Sequence, residues 1–181
     1  MNRMEIRLAG SGGQGVILAS VILAEAAVIA GKYTAQSQSY GPEARGGACK
    51  AETLISDAPI GFTKVRHPDF LMALTQKSLD KYGKDVQERC LVLMDDSLTA
   101  IPELDPEKTV RYPILKTAAE KVGRIQTANV VAVGCINSLL HLADHESIRK
   151  AVLMHVPAGT EEINLKALEA GIELVNKAEH A

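Results

Sequence analysis

The sequence predicts an α/β fold with a Rossmann-like, mostly parallel sheet, flanking helices and an extra C-terminal helical layer. Three observations support this prediction. Short apolar runs alternate with helical segments over the first two thirds of the chain. Several of these runs are apolar without interruption, which is typical of parallel strands that helices cover on both faces. The last third of the chain contains only helical patterns.

The first elements are a strand, a buried helix and two further strands. Residues 4–10, MEIRLAG, alternate apolar and polar residues and stop on glycine, as a strand entering a tight turn does. Residues 15–30 are apolar almost throughout and precede Gly31, which predicts a buried helix. The segments KYTAQSQS and ACKAETLIS then read as the second and third strands.

The remaining elements follow the same signals. Three more strands are predicted in PDFLMALT, RCLVLMDD and TVRYPI, with a short helix in QKSLDKYGKDV between the first two. Four helical segments then complete the chain: LKTAAEKVG, TANVVAVGCINSLLHLA, ESIRKAVLMHV and EEINLKALEAGIELVNKAEHA.

Length and composition predict one domain, residues 1–181, with an ordinary soluble composition of 46% hydrophobic and 23% charged residues. The formal charge of -2 gives no general reason to bind nucleic acid or an anionic membrane. No basic-then-apolar signal segment opens the chain, and no apolar stretch approaches the roughly 18 residues of a membrane span. We therefore expect a cytoplasmic protein.

Three cysteines, Cys49, Cys90 and Cys135, lie far apart in the sequence. This spacing is not that of a disulfide framework, an iron–sulfur site or a zinc site. We expect reduced thiols and no metal site, with Cys135 a small core residue.

A glycine loop follows the first strand: Gly10, Ser11, Gly12, Gly13, Gln14 and Gly15. It matches GxGxxG between a strand and a helix, where free backbone N–H groups favour an anion such as pyrophosphate. Close helix–strand packing is an equally good explanation of the glycines. A dinucleotide site would also need an acid at the end of the second strand, which instead ends in Gln36–Ser39, and this disfavours NAD.

The second loop, residues 40–47, reads YGPEARGG and contains Tyr40, Gly41, Pro42, Glu43, Arg45, Gly46 and Gly47. Proline fixes φ and the glycines allow unusual backbone angles, so we expect a defined shape beside the glycine loop. Arg45 could bind a phosphate or carboxylate with Glu43 orienting it, and Tyr40 offers a stacking surface. The alternative is a surface Glu43–Arg45 pair worth about 0–1 kcal/mol.

GSGGQG, QSYGPEARGG and NVVAVG (residues 129–134) together resemble the gamma subunit of the 2-oxoacid:ferredoxin oxidoreductases, most closely the 2-oxoglutarate type. The similarity extends over essentially the whole chain. It implies an accessory subunit, without catalytic residues, of a complex that converts a 2-oxoacid and coenzyme A to acyl-coenzyme A, CO₂ and reduced ferredoxin. The small subunit of an indolepyruvate or pyruvate:ferredoxin oxidoreductase, and a stand-alone nucleotide-binding regulator, are the alternatives.

The resemblance also implies partners and cofactors. Thiamine diphosphate, Mg²⁺ and [4Fe-4S] clusters would belong to alpha, beta and ferredoxin-like delta subunits, and ferredoxin would act through the complex. The two loops would dock against those subunits and help to cradle coenzyme A phosphates. The sequence agrees, because it has neither a GDG-type thiamine segment nor clustered cysteines.

A few polar residues outside the loops are further candidates. Asn129 and Thr127 are candidate helix caps, and Asn129 could instead border the cleft, as the position of its motif suggests. Asp95-Asp96 follows a strand and is more consistent with a turn or cap than with a ligand site. The histidines at 141, 145 and 155 show no spacing to a nucleophile or acid, which predicts surface or helix-end positions.

Overall fold

The computed structural model describes residues 3–39 and 47–179. Its centre is a six-stranded sheet in the order β2-β3-β1-β4-β5-β6. The strands are β1 (Arg3–Ser11), β2 (Tyr33–Ser39), β3 (Ala48–Ser56), β4 (Phe70–Ala73), β5 (Leu91–Asp95) and β6 (Thr109–Tyr112).

Within these residues, six α-helices accompany the sheet. They are α1 (Val16–Ile29), α2 (Gln76–Tyr82), α3 (Ile114–Lys116), α4 (Ala128–Leu140), α5 (His145–His155) and α6 (Glu161–Glu179). The chain continues from α3 as a π-helical segment, Thr117–Val122, which ends at Gly123 with a φ of 89°. None of the helices in these described ranges is long and apolar enough to cross a membrane.

The sheet is mostly parallel, as predicted, and is mixed because one strand, β3, runs in the opposite direction. β1, β4, β5 and β6 pair in parallel, but β3 runs antiparallel to both of its neighbours, β1 and β2. The alternation of strands and helices predicts the α/β class, which is confirmed. It does not predict that β2 and β3, which follow each other without a helix, pair as an antiparallel hairpin. As a result β3 separates β2 from β1.

Helices cover both faces of the sheet, as the apolar strands require. Ile6 and Leu8 of β1 are fully buried in the larger core, which α1, α4, α5 and α6 complete. Ala9 points to the opposite face and packs with Leu71 and Leu79 in a smaller core under α2. Since successive strand residues alternate between faces, the two cores use alternate positions of the same strand.

The predicted C-terminal helical layer is present and close-packed. α4 and α6 meet at two glycines, where a Cβ atom on Gly171 would lie 2.0 Å from the carbonyl oxygen of Val131. Cys135 is fully buried at this contact and its Sγ lies 3.3 Å from the carbonyl oxygen of Gly171. The expectation that Cys135 is a core residue agrees with this position.

Candidate functional site

The glycine loop, residues 10–15, has the backbone shape that its glycines allow. Gly13 and Gly15 have φ angles of 91° and 69°, in the left-handed region that other residues rarely adopt. The side chain of Gln14 folds back, and its Oε1 accepts a hydrogen bond of 2.8 Å from the backbone N–H of Ser11. Gln14 therefore holds the loop closed on one side, while the loop leads directly into α1.

Two helices begin beside this loop without the usual side-chain caps. Neither α1 nor α4 has a side-chain cap hydrogen bond or an acidic residue in its first turn. Thr127 and Asn129, predicted as caps of α4, make other contacts: the Thr127 hydroxyl donates to the carbonyl oxygen of Arg124, and Asn129 Nδ2 donates to that of Gly15 at 3.2 Å. The open N–H groups in the first turn of α1 are of the kind that bind anions. At α4 a 3-10 turn, Ile125–Thr127, precedes the helix, and the N–H groups of Thr127 and Ala128 already donate to the carbonyl oxygens of Arg124 and Ile125.

A polar pocket of about 190 Å³ lies where the glycine loop meets the helical layer. Its lining residues are Gly13, Gly15, Leu18, Arg124, Gln126, Thr127, Asn129, Pro157, Thr160 and Asn164. Asn129 and Asn164 are 4% and 8% exposed. The pocket thus brings together the starts of α1, α4 and α6.

Arg124 supplies a cation at the rim of the polar pocket. It follows Gly123 directly after the π-helical segment, and it is exposed. Within residues 3–39 and 47–179 its guanidinium makes no ion pair. The first turn of α6 carries Glu161 and Glu162, which oppose an anion there, so the positive potential comes mainly from Arg124, α1 and α4.

Sequence reasoning missed Arg124, Gln126, Thr160 and Asn164. All four stand at helix boundaries, where Gly123 and Pro157 were visible as helix stops. What brings them to the glycine loop is the packing of α4 and α6, which a sequence pattern does not give.

A larger, mostly apolar cleft opens on the other side of the glycine loop. Its volume is about 610 Å³, and it is lined by Ser11, Gly12, Gly13, Gly15, Val16, Ile17, Leu18, Val21 and Cys49. Burial raises the pKa of the Cys49 thiol. Because the thiolate is the reactive form of cysteine, this shift makes Cys49 less reactive, and the residue contributes to the wall of the cleft.

The second loop was predicted to lie beside the glycine loop. Tyr40, Gly41, Pro42, Glu43, Arg45 and Gly46 lie outside the described residues, so their roles stay predictions. Gly47 is buried, and Ala48 after it pairs with Ser11. On the other side of the loop, Ser39 pairs with Lys50. Both ends of the second loop therefore lie at the same end of the strands as the glycine loop.

The other polar candidates have structural positions. Asp95 is 1% exposed, and its carboxylate accepts hydrogen bonds from the backbone N–H groups of Ser97 and Leu115, which makes it a turn and helix anchor as expected. The histidines at 141, 145 and 155 stand at the ends of α4 and α5. No three His, Cys, Asp or Glu side chains cluster as a metal site in the part of the chain that the structure describes.

Residues 5–174 match the family model described as pyruvate ferredoxin/flavodoxin oxidoreductase. The matched range includes the glycine loop and the helix starts that line the polar pocket. The chain belongs to this family. Within it, the chain is 46% identical over 179 residues to the 2-oxoglutarate synthase subunit KorC of Methanocaldococcus jannaschii, covering 97% of this chain and 95% of that protein.

A solved member of the oxidoreductase family has the same fold. The gamma subunit of a keto/oxoacid ferredoxin oxidoreductase from Geobacter sulfurreducens superposes with a TM-score of 0.88 at 44% identity, covering 98% of this chain and 99% of that one. The ketoisovalerate oxidoreductase subunit VorA of Methanothermobacter thermautotrophicus is 38% identical over 174 residues, which are 94% of this chain but 36% of that protein. The same unit thus occurs in the family as a separate chain and as part of a longer one.

Proposed function

We propose that this chain is the gamma subunit of a 2-oxoglutarate:ferredoxin oxidoreductase. The complex would convert 2-oxoglutarate, coenzyme A and oxidised ferredoxin to succinyl-coenzyme A, CO₂ and reduced ferredoxin. The assignment of 2-oxoglutarate is supported by the 46% identity to a 2-oxoglutarate synthase subunit, against 38% to a ketoisovalerate oxidoreductase subunit.

The redox chemistry would take place on other subunits of a cytoplasmic complex. We assign thiamine diphosphate, Mg²⁺ and the [4Fe-4S] clusters to the alpha, beta and delta partners. The cysteines support this division, because all three are buried and lie far apart in the fold: Cys49 on β3, Cys90 just before β5 and Cys135 on α4. Burial also raises the pKa of Cys90 to about 11, so this thiol stays protonated at neutral pH.

The contribution of this chain would be to hold phosphate groups of coenzyme A at the polar pocket. The observation that carries this proposal is that the open start of α1, the turn that leads into α4 and the guanidinium of Arg124 meet at a single pocket, where Arg124 makes no ion pair with the described residues. Arg124 can donate two parallel hydrogen bonds to a phosphate, and the N–H groups at the start of α1 can donate to its charged oxygens. Gly13 leaves the backbone open to a close approach, since a Cβ atom there would meet nothing within 4 Å.

These interactions are too weak to bind coenzyme A tightly, which indicates that this chain forms only part of the binding site. A helix start contributes about 0.3–1 kcal/mol to anion binding, and a charge-assisted hydrogen bond about 1.5–3 kcal/mol. The total of roughly 4 kcal/mol corresponds to a dissociation constant of about 1 mM. We infer that a partner subunit completes the pocket. The second loop, at the same end of the strands, would be its point of contact with this chain.

Replacing Arg124 tests the coenzyme A site in the purified complex. We expect Arg124→Gln to raise the KM for coenzyme A by roughly ten- to a hundredfold, because it removes one charge-assisted contact. The KM for 2-oxoglutarate should not change. Lys108→Gln is the matched control, since Lys108 is exposed just before β6, at the end of the strands opposite the glycine loop. An unchanged KM for coenzyme A in Arg124→Gln would refute the assignment of this pocket.

The substrate and the partners have a separate test. The chain, purified from its own cell extract, should bring a thiamine-diphosphate-binding chain and a ferredoxin-like chain with it. That complex should reduce ferredoxin faster with 2-oxoglutarate than with ketoisovalerate, pyruvate or indolepyruvate. A preference for one of the last three would keep the subunit assignment and overturn the substrate.

A further inference from the structure

One edge of the sheet lacks the features that usually protect an exposed strand. β2 is the last strand on its side, and within the described residues no strand pairs with its outer edge. It is seven residues long, Tyr33–Ser39, and contains no charged residue, proline or glycine. Natural proteins commonly place charges, proline or bulges on such edges to prevent pairing between chains. β2 pairs with β3 over its full length without a bulge.

The helix next to this edge also presents apolar surface. Ser20 and Glu25 are the only polar residues of α1, and a helix that is apolar all round is usually buried all round. Ile17, Val21 and Val28 nevertheless remain half-buried or exposed, Val28 at 49%. They fall within about 40° of one another around the helix, so they form one stripe, which we call the α1 stripe.

The α1 stripe lies on the flank of α1 toward β2. Ser20 faces the sheet, where its hydroxyl pairs with that of Thr53 at 2.7 Å. Glu25 faces α5, with its Oε2 3.5 Å from Nε2 of His155. Ala19 lies on the opposite flank, toward α4, and is fully buried. The stripe and the free edge of β2 are therefore neighbours on one side of the molecule.

We propose that this side is a two-fold interface between two copies of the chain, in which the two β2 strands pair antiparallel and the sheets join into one of twelve strands. A two-fold axis perpendicular to the sheet keeps both α1 helices on the same face, with their stripes directed toward each other across the axis. Each stripe would then lose exposure to water, which favours association.

The absence of charge on β2 argues for a second copy rather than a different strand. In a two-fold pairing every residue meets its own sequence, so a charge near the axis would face a like charge and oppose pairing. β2 avoids this entirely. Full overlap centred on Gln36 gives the pairs Tyr33–Ser39, Thr34–Gln38, Ala35–Ser37 and Gln36–Gln36. Tyr33, 50% exposed, would be covered at each end of the ladder.

Cysteine cross-linking tests this register. Only residue 36 meets its own copy, so Gln36→Cys should form a disulfide-linked dimer under mild oxidation, because paired Cα atoms lie about 4.5–5.5 Å apart. Gln38→Cys is the matched control: its two copies would be four residues apart along the strands, roughly 13 Å, which is too far for a disulfide. The three native cysteines are buried and give little background. Equal cross-linking of both variants, or of neither, would overturn the register.

A charge exchange tests the interface without covalent bonds. By sedimentation, the 181-residue chain should shift from 19.4 kDa toward twice that mass as its concentration rises. Gln36→Lys and Gln36→Glu should each stay monomeric and should dimerise when mixed. Gln87→Lys and Gln87→Glu, at an exposed residue before β5, should dimerise like the original chain. Gln36 is exposed, so equal melting temperatures will show that its variants fold.

Two outcomes would overturn the proposal. One is a chain that sediments as a monomer at every concentration. The other is a monomeric chain whose Gln36→Lys variant no longer binds a partner subunit, since this result would assign the edge of β2 to that partner.

Discussion

At the residue scale, two carboxamides determine the shape of the glycine loop. The side chain of Gln14 closes the loop by accepting a hydrogen bond from the N–H of Ser11. Asn129 holds the last residue of the loop by donating a hydrogen bond to the carbonyl oxygen of Gly15. A Cβ atom on Gly15 would lie 2.4 Å from Nδ2 of Asn129. Gly15 is therefore required for two reasons, its left-handed φ and the closeness of Asn129.

Asp144 gives a pH-dependent prediction at the same scale. Its carboxylate caps α5 by accepting from the N–H and the hydroxyl of Ser147, and these hydrogen bonds lower the pKa of Asp144. A carboxyl with a lowered folded-state pKa stabilises the fold above its unfolded pKa of about 3.9, and this contribution is lost as pH falls.

We expect Asp144→Ala to lower the melting temperature at pH 7 and the difference from the original chain to shrink as pH is lowered toward 3. Thermal unfolding at several pH values measures both. Asp85→Ala, at an exposed residue after α2, should have little effect at any pH. A difference that grows on acidification would contradict the role of the ionised carboxylate.

At the element scale, the contact between α4 and α6 depends on the absence of side chains. A Cβ atom on Gly134 would lie 2.3 Å from the carbonyl oxygen of Leu168, and one on Gly171 would lie 2.0 Å from that of Val131. Both obstacles are backbone atoms, so the helices themselves would have to separate. Since α4 and α6 carry Asn129 and Asn164 into the polar pocket, the same contact positions the candidate site.

Gly171→Ala should therefore destabilise the protein, although alanine favours a helix by about 1 kcal/mol over glycine. Overpacking of a close contact costs about 1–3 kcal/mol. Here the new Cβ atom meets backbone, so we expect a cost near the upper end of this range. After the helix gain, the net loss of unfolding free energy should be about 2 kcal/mol in denaturant unfolding. Gly61→Ala, where a Cβ atom would meet nothing within 4 Å, is the control. Equal stability of both variants would show that the helices can separate at no cost.

The elements themselves were largely predictable, and their pairing was not. The sequence pattern predicts the described strands and the longer helices within a few residues, because burial of one face imposes a period. It does not predict the 3-10 turns Pro106–Lys108 and Ile125–Thr127. The antiparallel insertion of β3 depends on contacts between distant segments. Arg7 shows the same limit: it is 8% exposed because the register places it opposite Glu52, with Nε 2.7 Å from Oε1, a pairing that neither residue's neighbours indicate.

For the whole molecule, the position of β3 explains why a GxGxxG loop here differs from a dinucleotide site. In such a site an acid at the end of the second strand reaches the ribose of a ligand on the first loop. Here β3 lies between β1 and β2, which places the end of β2 two strand spacings, roughly 10 Å, from β1. The missing acid at Gln36–Ser39 was visible in the sequence, and the separation was not.

The isolated chain should therefore bind coenzyme A weakly and NAD not at all. Calorimetry should give a dissociation constant for coenzyme A of about 1 mM, because one helix start and one guanidinium supply only about 4 kcal/mol. Arg124→Gln should weaken this further, and Lys108→Gln should not. Sub-micromolar binding of coenzyme A, NAD or ATP would contradict a pocket that needs a partner and would instead support a stand-alone nucleotide-binding regulator, since such affinity requires a site complete within one chain.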